Sequence, residues 1–328
     1  MYPRSFTGLS TNTWMTMLPL RISIHTAMTT AQPTAINSSS VSKGAETKLG
    51  IRAEGAVIRR SELRATFALQ EGRTIMTDRY YSAPLRLSRS FRPPGNSNGL
   101  CLYTSDVSPG VLNGDHYHSE WHLGEGTHVM LSSTSATRLH PTPSLPSSVN
   151  HHFQIRKGAV LEYFPECVIP FKGSSSSLTA TFQLEEQAIL AYADVWSAGR
   201  IHRGEAFEFS KYRNSTEIWQ GNQLAVWDRF GMEPGRDDPQ KSAALLDFTH
   251  TAALWMIAPG LGTAELESIR SALPPDGRML SGASLLASGG IGVRLLGMAA
   301  WELQEQCLHI WNTIRPQLLG NENLAFRK

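Results

Sequence analysis

The feature that most constrains the fold is a short pattern that the chain repeats four times. Each copy has an aromatic residue, a variable residue, an aliphatic residue, two mostly polar residues, Gly or Gln, and then a second apolar stretch. The copies are FALQEGRTIMT (67–77), WHLGEGTHVML (121–131), FQIRKGAVLEY (153–163) and FQLEEQAILAY (182–192). Their aromatic anchors are 54, 32 and 29 residues apart.

Repetition at such spacings is typical of stacked supersecondary units that bury one common face. We interpret each copy as two short strands around a tight turn, where glycine supplies a positive φ. The predicted fold class is therefore mainly β. It is a layered, β-helix-like scaffold of repeated short strands, not a Rossmann or TIM-barrel enzyme.

The C-terminal part of the chain changes its hydrophobic period. Apolar residues spaced three and four apart predict amphipathic helices over residues 263–273 and 298–314, the second ended by Pro316. A strand is predicted between them at 291–296. The sequence thus predicts two C-terminal α-helices within an α/β part at about 250–316.

Composition limits the setting and the partners. Residues 1–47 are rich in Ser and Thr and contain no acidic residue before Glu46, which predicts a disordered N-terminal extension ahead of a β domain at 48–328. The net charge of +2, with no basic run interleaved with aromatics, argues against a nucleic-acid partner. Three scattered cysteines indicate a reducing cytoplasm. No uncharged apolar run is long enough to span a membrane, so no membrane partner is predicted.

Five motifs follow one another in an informative order. They are Asn-Gly-Asp at 113–115, LSSTSATR at 131–138, LEYFP at 161–165 with IPF at 169–171, WSAGR at 196–200 with Gly-Glu at 204–205, and GVRLLG at 292–297 with IWNTIR at 310–315. Together they resemble the urease accessory protein D family (UreD, called UreH in some bacteria) over about residues 48–316.

The resemblance implies a scaffold and nickel conduit rather than an enzyme. It implies a cytoplasmic urease maturation factor that binds apo-urease on one side and accessory protein F on the other, while accessory protein G docks through F. Nickel is then a transient cargo that passes through an internal acidic tunnel, and no tightly bound cofactor is implied. The C-terminal helices are the implied contact for F, although their apolar faces fit a core equally well.

The family's tunnel positions fall on Asp115, Thr137, Asp194 and Asp228. A conduit must bind Ni²⁺ weakly and repeatedly, which suits isolated carboxylates and hydroxyls better than a closed His or Cys cage. Asp194 also stands out from the sequence itself, because a carboxylate in an apolar run is costly unless it is partnered or wet. Glu162 follows the same logic and is added as a lesser candidate.

Each of these positions also has a structural interpretation. Asp115 fits a turn residue, Asp228 fits a partner of Arg229 or of another charge, and Thr137 is an ordinary β-former. Arg200 and Glu205 fit a structural ion pair. Within the family motifs, we predict a purely structural role for five residues: Gly114, Gly199, Arg200, Gly204 and Glu205.

Two rival functions remain open at this stage. His116, His118 and His122 follow a glycine at a spacing that resembles half of a cupin metal motif, which would make the protein a metal-dependent enzyme. A strand would, however, place these histidines outward, opposite Tyr117 and Trp121, and no second cupin motif is present. The other rival is a purely structural β adaptor without a metal path.

Overall fold

A computed structural model describes residues 52–53, 56–93, 98–237, 245–275, 277–320 and 323–326. The N-terminal extension predicted at 1–47 lies outside the described residues. All described residues belong to one compact unit, residues 49–328.

Strands dominate the described part of the chain, with two α-helices near the C-terminus. In chain order the elements are β1 (Arg52–Ala53), β2 (Ala56–Val57), β3 (Arg59–Gln70), β4 (Arg73–Tyr81), β5 (Leu85–Leu87), β6 (Leu100–Asp106), β7 (Asp115–Leu123), β8 (His128–Ser133), β9 (Thr137–Leu139), β10 (Ser147–Ile155), β11 (Val160–Phe164), β12 (Val168–Pro170), β13 (Ser175–Leu184), β14 (Ile189–Ser197), β15 (Lys211–Gln220), β16 (Gln223–Met232), β17 (His250–Ile257), α1 (Thr263–Ser271), β18 (Leu280–Leu285), β19 (Ile291–Gly297) and α2 (Ala300–Leu319).

The elements form three layers. The outer sheet has the order β16-β15-β13-β10-β7-β3-β4, and the central sheet has the order β18-β19-β17-β14-β11-β8-β6-β5. Apolar residues of both sheets pack face to face, for example Phe153 against Tyr163 with ring centroids 5.1 Å apart. The other face of the central sheet packs against both helices. The prediction of a mainly β, layered scaffold is confirmed.

The repeated pattern forms successive coils that pass from one sheet to the other. β7, β10 and β13 pair in parallel in the outer sheet, and β8, β11 and β14 pair in parallel in the central sheet. The residues that turn the chain between sheets, Gly126, Gly158 and Gln187, have φ of 65°, 63° and 59°. The turns were therefore predicted correctly, but in these copies they join two sheets instead of making hairpins.

The outer sheet has a hairpin at each of its two edges. At one end the first repeat copy forms the antiparallel pair β3–β4 around Glu71 and Gly72, which both have positive φ. At the other end β15 and β16 pair antiparallel around Gly221. The parallel stack therefore has two antiparallel ends.

Three of the four aromatic anchors are stacked neighbours. Trp121, Phe153 and Phe182 lie opposite one another in adjacent strands, with centroid separations of 5.9 and 4.7 Å and nearly parallel rings. The alignment of Phe67 with these anchors was wrong, because Ala65 lies opposite Trp121. An unpredicted member, Ile218, continues the row next to Phe182.

The C-terminal helices are part of the core. The prediction for α1 is confirmed, but α2 runs past Pro316 and ends at Leu319, before Gly320 in the left-handed conformation. Pro316 lacks an N–H, and its ring crowds the carbonyl of the residue four positions earlier. The final leucines nevertheless pack onto the core. The apolar faces of both helices are buried through Leu266, Ile269, Leu303, Cys307, Ile310, Trp311 and Ile314.

Candidate functional site

Two of the predicted carboxylates lie close together between the sheets. Asp194 is on the face of β14 that points towards the outer sheet, and it accepts a hydrogen bond from the amide of Asn214 in β15. Asp228 in β16 accepts one from the guanidinium of Arg294 in β19. The partner of Asp228 is thus Arg294 across the interior, whereas Arg229 lies over the Trp227 ring.

The protein interior raises the pKa of the Asp194 carboxyl. Burial raises its pKa, the nearby charge of Asp228 raises it further, and the Asn214 hydrogen bond opposes both, so that the pKa is about 6. The ionised form of Asp194 is therefore disfavoured relative to an exposed aspartate. This is the energetic cost that the apolar flanking residues predicted.

The raised pKa of Asp194 predicts a pH-dependent cost to stability. Because the folded protein holds this proton more tightly, stability falls as pH rises from 3.8, the ordinary aspartate value, through about 6. We expect Asp194→Asn to be more stable than the wild type at pH 8 by on the order of 1–2 kcal/mol, and to lose that advantage below pH 4. Urea unfolding at both pH values measures this. An equally stable or less stable variant at pH 8 would contradict the assignment.

Unpartnered polar atoms surround these two carboxylates. Among the described residues, Tyr212 OH and Trp255 Nε1 are buried without a hydrogen-bond partner. Thr216 lies directly opposite Asp228 in the β15–β16 pair, and the Trp255 ring lies 5.1 Å from the guanidinium carbon of Arg294. Buried groups of this kind are where proteins hold ordered water. This end of the interior therefore combines two carboxylates with buried polar side chains.

A cavity of about 120 Å³ lies nearer the opposite end of the interior. It is lined by Thr137, one of the predicted residues, and by Ser119, His151 and Tyr163, which the sequence reasoning missed. Ser119 Oγ lies 2.6 Å from His151 Nδ1, and burial lowers the pKa of His151 to about 4. The imidazole is thus neutral at pH 7, with one protonated and one unprotonated ring nitrogen. Its signal in the sequence was its inward position two residues before Phe153.

Asp115 begins β7 and shares the buried face of that strand with Tyr117, which lines the cavity. It is 4% exposed, and its Oδ2 accepts a hydrogen bond of 2.8 Å from the backbone N–H of Leu112. Arg59 Nη1 is 4.0 Å from its other oxygen. Burial is the main reason why its pKa is raised. These contacts are those of a turn residue at the start of β7, and Asp115 is not among the residues that line the cavity.

Glu162 lies on the opposite face of the central sheet from Asp194. It pairs in register with Ala191 and points towards α2, where it accepts hydrogen bonds from Arg315, Trp311 and His128. The His128 Nε2 contact is 2.7 Å. Burial alone would raise its pKa, but the hydrogen bonds from His128 and Arg315 lower it to about 2. The structure therefore does not bring Glu162 together with the other predicted carboxylates.

The positions assigned to structure form tight turns. Arg200 Nε donates a hydrogen bond of 2.7 Å to Glu205 Oε2. A Cβ at Gly199, where φ is 139°, would lie 2.4 Å from the carbonyl oxygen of Glu205. Gly204 follows a 3₁₀ turn, Ile201–Arg203, and ends it in the left-handed conformation. A Cβ at Gly114 would lie 2.8 Å from a backbone carbonyl oxygen. Glycine is required wherever a backbone carbonyl approaches this closely.

Two negative findings concern the described residues. No group of three or more His, Cys, Asp or Glu side chains among them could hold a metal ion. No helix in the described part of the chain is both long and apolar enough to cross a membrane.

Comparison with known proteins decides the family. The family model for the UreD urease accessory protein matches residues 59–328, which is most of the chain and includes both sheets and both helices. The chain belongs to the UreD family. Its family role is in urease maturation, in agreement with the resemblance of the five motifs.

Curated relatives support the same assignment. The urease accessory protein UreD of Halalkalibacterium halodurans is 29% identical over 259 residues, which cover 78% of this chain and 94% of the relative. The UreD proteins of Sporosarcina pasteurii and Thermosynechococcus vestitus are 25% and 29% identical, and the matches cover 96% and 92% of those chains. The similarity therefore spans nearly the whole length of each relative.

Proposed function

We propose that this protein is a non-catalytic, cytoplasmic urease maturation factor that links apo-urease to accessory proteins F and G and passes Ni²⁺ through its inter-sheet interior. The observation that carries the metal part of the proposal is that Asp194 and Asp228 both face the inter-sheet interior. Burying two carboxylates there is costly and adds little to packing. Such a cost is typical of functional positions.

The chemistry of this pair supports transient binding. Each carboxylate is held by one donor, Asn214 or Arg294, which leaves oxygen lone pairs for a passing cation. The guanidinium of Arg294 offsets part of the negative charge and so weakens cation binding. An ion that binds oxygen ligands singly is released readily, as conduction requires.

The cavity and the carboxylate pair are linked by aromatic residues. Tyr163 lines the cavity and stacks on Tyr192 with ring centroids 5.4 Å apart. Tyr192 is two residues before Asp194 on the same face of β14, and the Asp194 charge adds to burial in raising the pKa of both tyrosines. We infer that Ni²⁺ passes from the side of Thr137 and His151 to the side of Asp228, or in reverse, along this row.

The test measures nickel per urease active site in a urease-positive host in which the gene is deleted and then restored. The restored forms are wild type, Asp194→Asn plus Asp228→Asn, and the control Asp78→Asn plus Glu267→Gln, which removes two exposed carboxylates. We expect the interior double variant to load at least 10-fold less nickel than the control, with its partners still bound in pull-downs.

Two outcomes would overturn parts of this proposal. Full nickel in the deletion strain would contradict any role in maturation. Normal loading by the interior double variant, together with loss in the deletion strain, would contradict the metal route and leave a structural adaptor for F, G and urease.

A further inference from the structure

The central sheet has an open edge at β18. Among the described strands β18 pairs only with β19, and it lies at the opposite end of the sheet from β5. Its sequence is LSGASL (280–285), and neither a charged residue nor a proline occurs from 279 to 293. Proteins usually protect an exposed edge with charges, proline or a covering element, because its unpaired backbone groups can bind another strand. The sequence of β18 has neither of the first two protections.

The backbone groups that face the open edge belong to every second residue of β18. The N–H of Leu286 donates a hydrogen bond of 2.9 Å to the carbonyl oxygen of Gly290, in the turn that leads to β19. Along an antiparallel strand, residues that bond to a given neighbour alternate with residues whose backbone groups point the other way. The N–H and C=O groups of Ser281, Ala283 and Leu285 therefore point away from β19.

A contact from α1 agrees with this orientation. Arg270 Nη2 donates a hydrogen bond of 3.3 Å to the carbonyl oxygen of Ala283. The Arg270 side chain is 42% exposed, and its only ion pair in the described part of the chain is with Glu267, which is also exposed. A long hydrogen bond from an exposed arginine contributes little and is easily exchanged. The Ala283 carbonyl is therefore accessible to a backbone donor from another strand.

The side chains along this edge leave room for a neighbouring strand. Leu280 and Leu285, at the two ends of β18, are 40% and 44% exposed and point to opposite faces of the sheet. The residues between them are small. A Cβ built at Gly282 meets no described atom within 4 Å apart from its chain neighbours. A strand added here would cover both leucines without a clash at the centre.

A second copy of β18 is complementary to this edge. Of the three residues that face the edge, Ala283 is the middle one. A two-fold axis beside Ala283 therefore places it opposite itself and places Ser281 opposite Leu285 of the second copy. This antiparallel register pairs all the edge-facing N–H and C=O groups of both copies, in about six hydrogen bonds. Because the strand is uncharged, no like charges meet directly across the contact.

We propose that this protein forms a two-fold symmetric dimer in which β18 pairs antiparallel with β18 of a second copy, with Ala283 opposite Ala283. The central sheet then continues from one copy into the other. Pairing uses up the open edge of β18 in both copies, so the assembly closes at two. The shared edge is only about 20 Å long, which is typical of a reversible contact. The dimer does not rest on the proposed role in urease maturation.

The test is sedimentation velocity of the tag-free full chain over a range of concentrations, where we expect a monomer–dimer equilibrium without larger species. Ser281→Pro removes an N–H that faces the edge and should weaken the dimer at least about 10-fold. Leu285→Lys should have a similar effect, because it places a charge in the contact. Val107→Lys is the matched control, since it adds the same charge at an exposed apolar residue next to β6. It should dimerise as the wild type does.

Disulfide formation tests the register. Two Ala283→Cys chains would have these Cα atoms about 5.5 Å apart, within the range of a disulfide, so we expect an intermolecular disulfide on mild oxidation. Leu285→Cys is the control, because the two copies of that residue would be about 14 Å apart along the strands. The native Cys101, Cys167 and Cys307 are buried and should not interfere.

Arg270→Ala gives a prediction of opposite sign. It removes the side chain that competes for the Ala283 carbonyl, so it should tighten the dimer several-fold instead of weakening it. Monomeric wild-type protein at every concentration would overturn the proposal. Wild-type dimerisation by both Ser281→Pro and Leu285→Lys would also overturn it, as would an intermolecular disulfide in Leu285→Cys but not in Ala283→Cys.

Discussion

Replacing Arg315 with leucine is expected to lower the free energy of unfolding by about 3–5 kcal/mol, because it leaves a buried carboxylate without its countercharge. Arg315 is 2% exposed, and two of its nitrogens donate to Glu162, which is fully buried. The pair joins α2 to the middle of the central sheet. Urea unfolding at pH 7 measures the change.

The control for this variant is Arg270→Ala. Arg270 makes an exposed ion pair with Glu267 one helical turn away, and its loss should cost less than about 1 kcal/mol. The pKa of Glu162, lowered to about 2, adds a pH signature: its contribution is present above about pH 4.5 and is lost as pH falls towards 2. A cost below 1 kcal/mol for Arg315→Leu would show that α2 is held by apolar packing alone.

Replacing Phe153 with alanine is expected to lower the free energy of unfolding by about 3–5 kcal/mol, the usual range for a large buried aromatic residue. Phe153 is fully buried in the middle of the aromatic row, stacked between Trp121 and Phe182 and in contact with Tyr163 of the central sheet. Truncation therefore removes contacts to both neighbouring coils and across the interior. Thermal or urea unfolding measures the loss.

Two control variants distinguish the effect of the aromatic row from the effect of losing any aromatic side chain. Phe153→Leu keeps most of the volume and should cost roughly half as much as the alanine variant. Phe91→Ala removes an aromatic residue that is 37% exposed and should cost less than about 1.5 kcal/mol. Equal costs at Phe153 and Phe91 would contradict the interpretation of the repeats as the structural core of the stack.

The local pattern predicted the coils but not their partners. The sequence identified Trp121, Phe153 and Phe182 as equivalent, because each is followed by the same turn. It misplaced Phe67, where the β3–β4 pair has a register shift between Thr66 and Phe67. It also missed Ile218, which is not aromatic. A turn between two sheets and a turn in a hairpin have similar local sequences, so only the pairing distinguishes them.

The candidate site shows the same limit. The cost of a carboxylate among apolar neighbours marked both Asp194 and Glu162. The first faces the inter-sheet interior, whereas the second is neutralised by Arg315, a residue 153 positions later in the chain. A single sequence contains no signal for a partner at such a separation. The same is true of Arg294, which lies 66 positions beyond Asp228.

Because hairpins end the outer sheet on both sides, the number of parallel strands between them sets a fixed distance across the sheet. Four strand spacings separate β7, which lines the cavity, from β16, which carries Asp228. At about 4.8 Å per spacing the two places are roughly 19 Å apart. Inserting one coil would lengthen this span by a single strand spacing without altering the chemistry at either end. The number of repeats in the gene thus specifies a distance as well as a core.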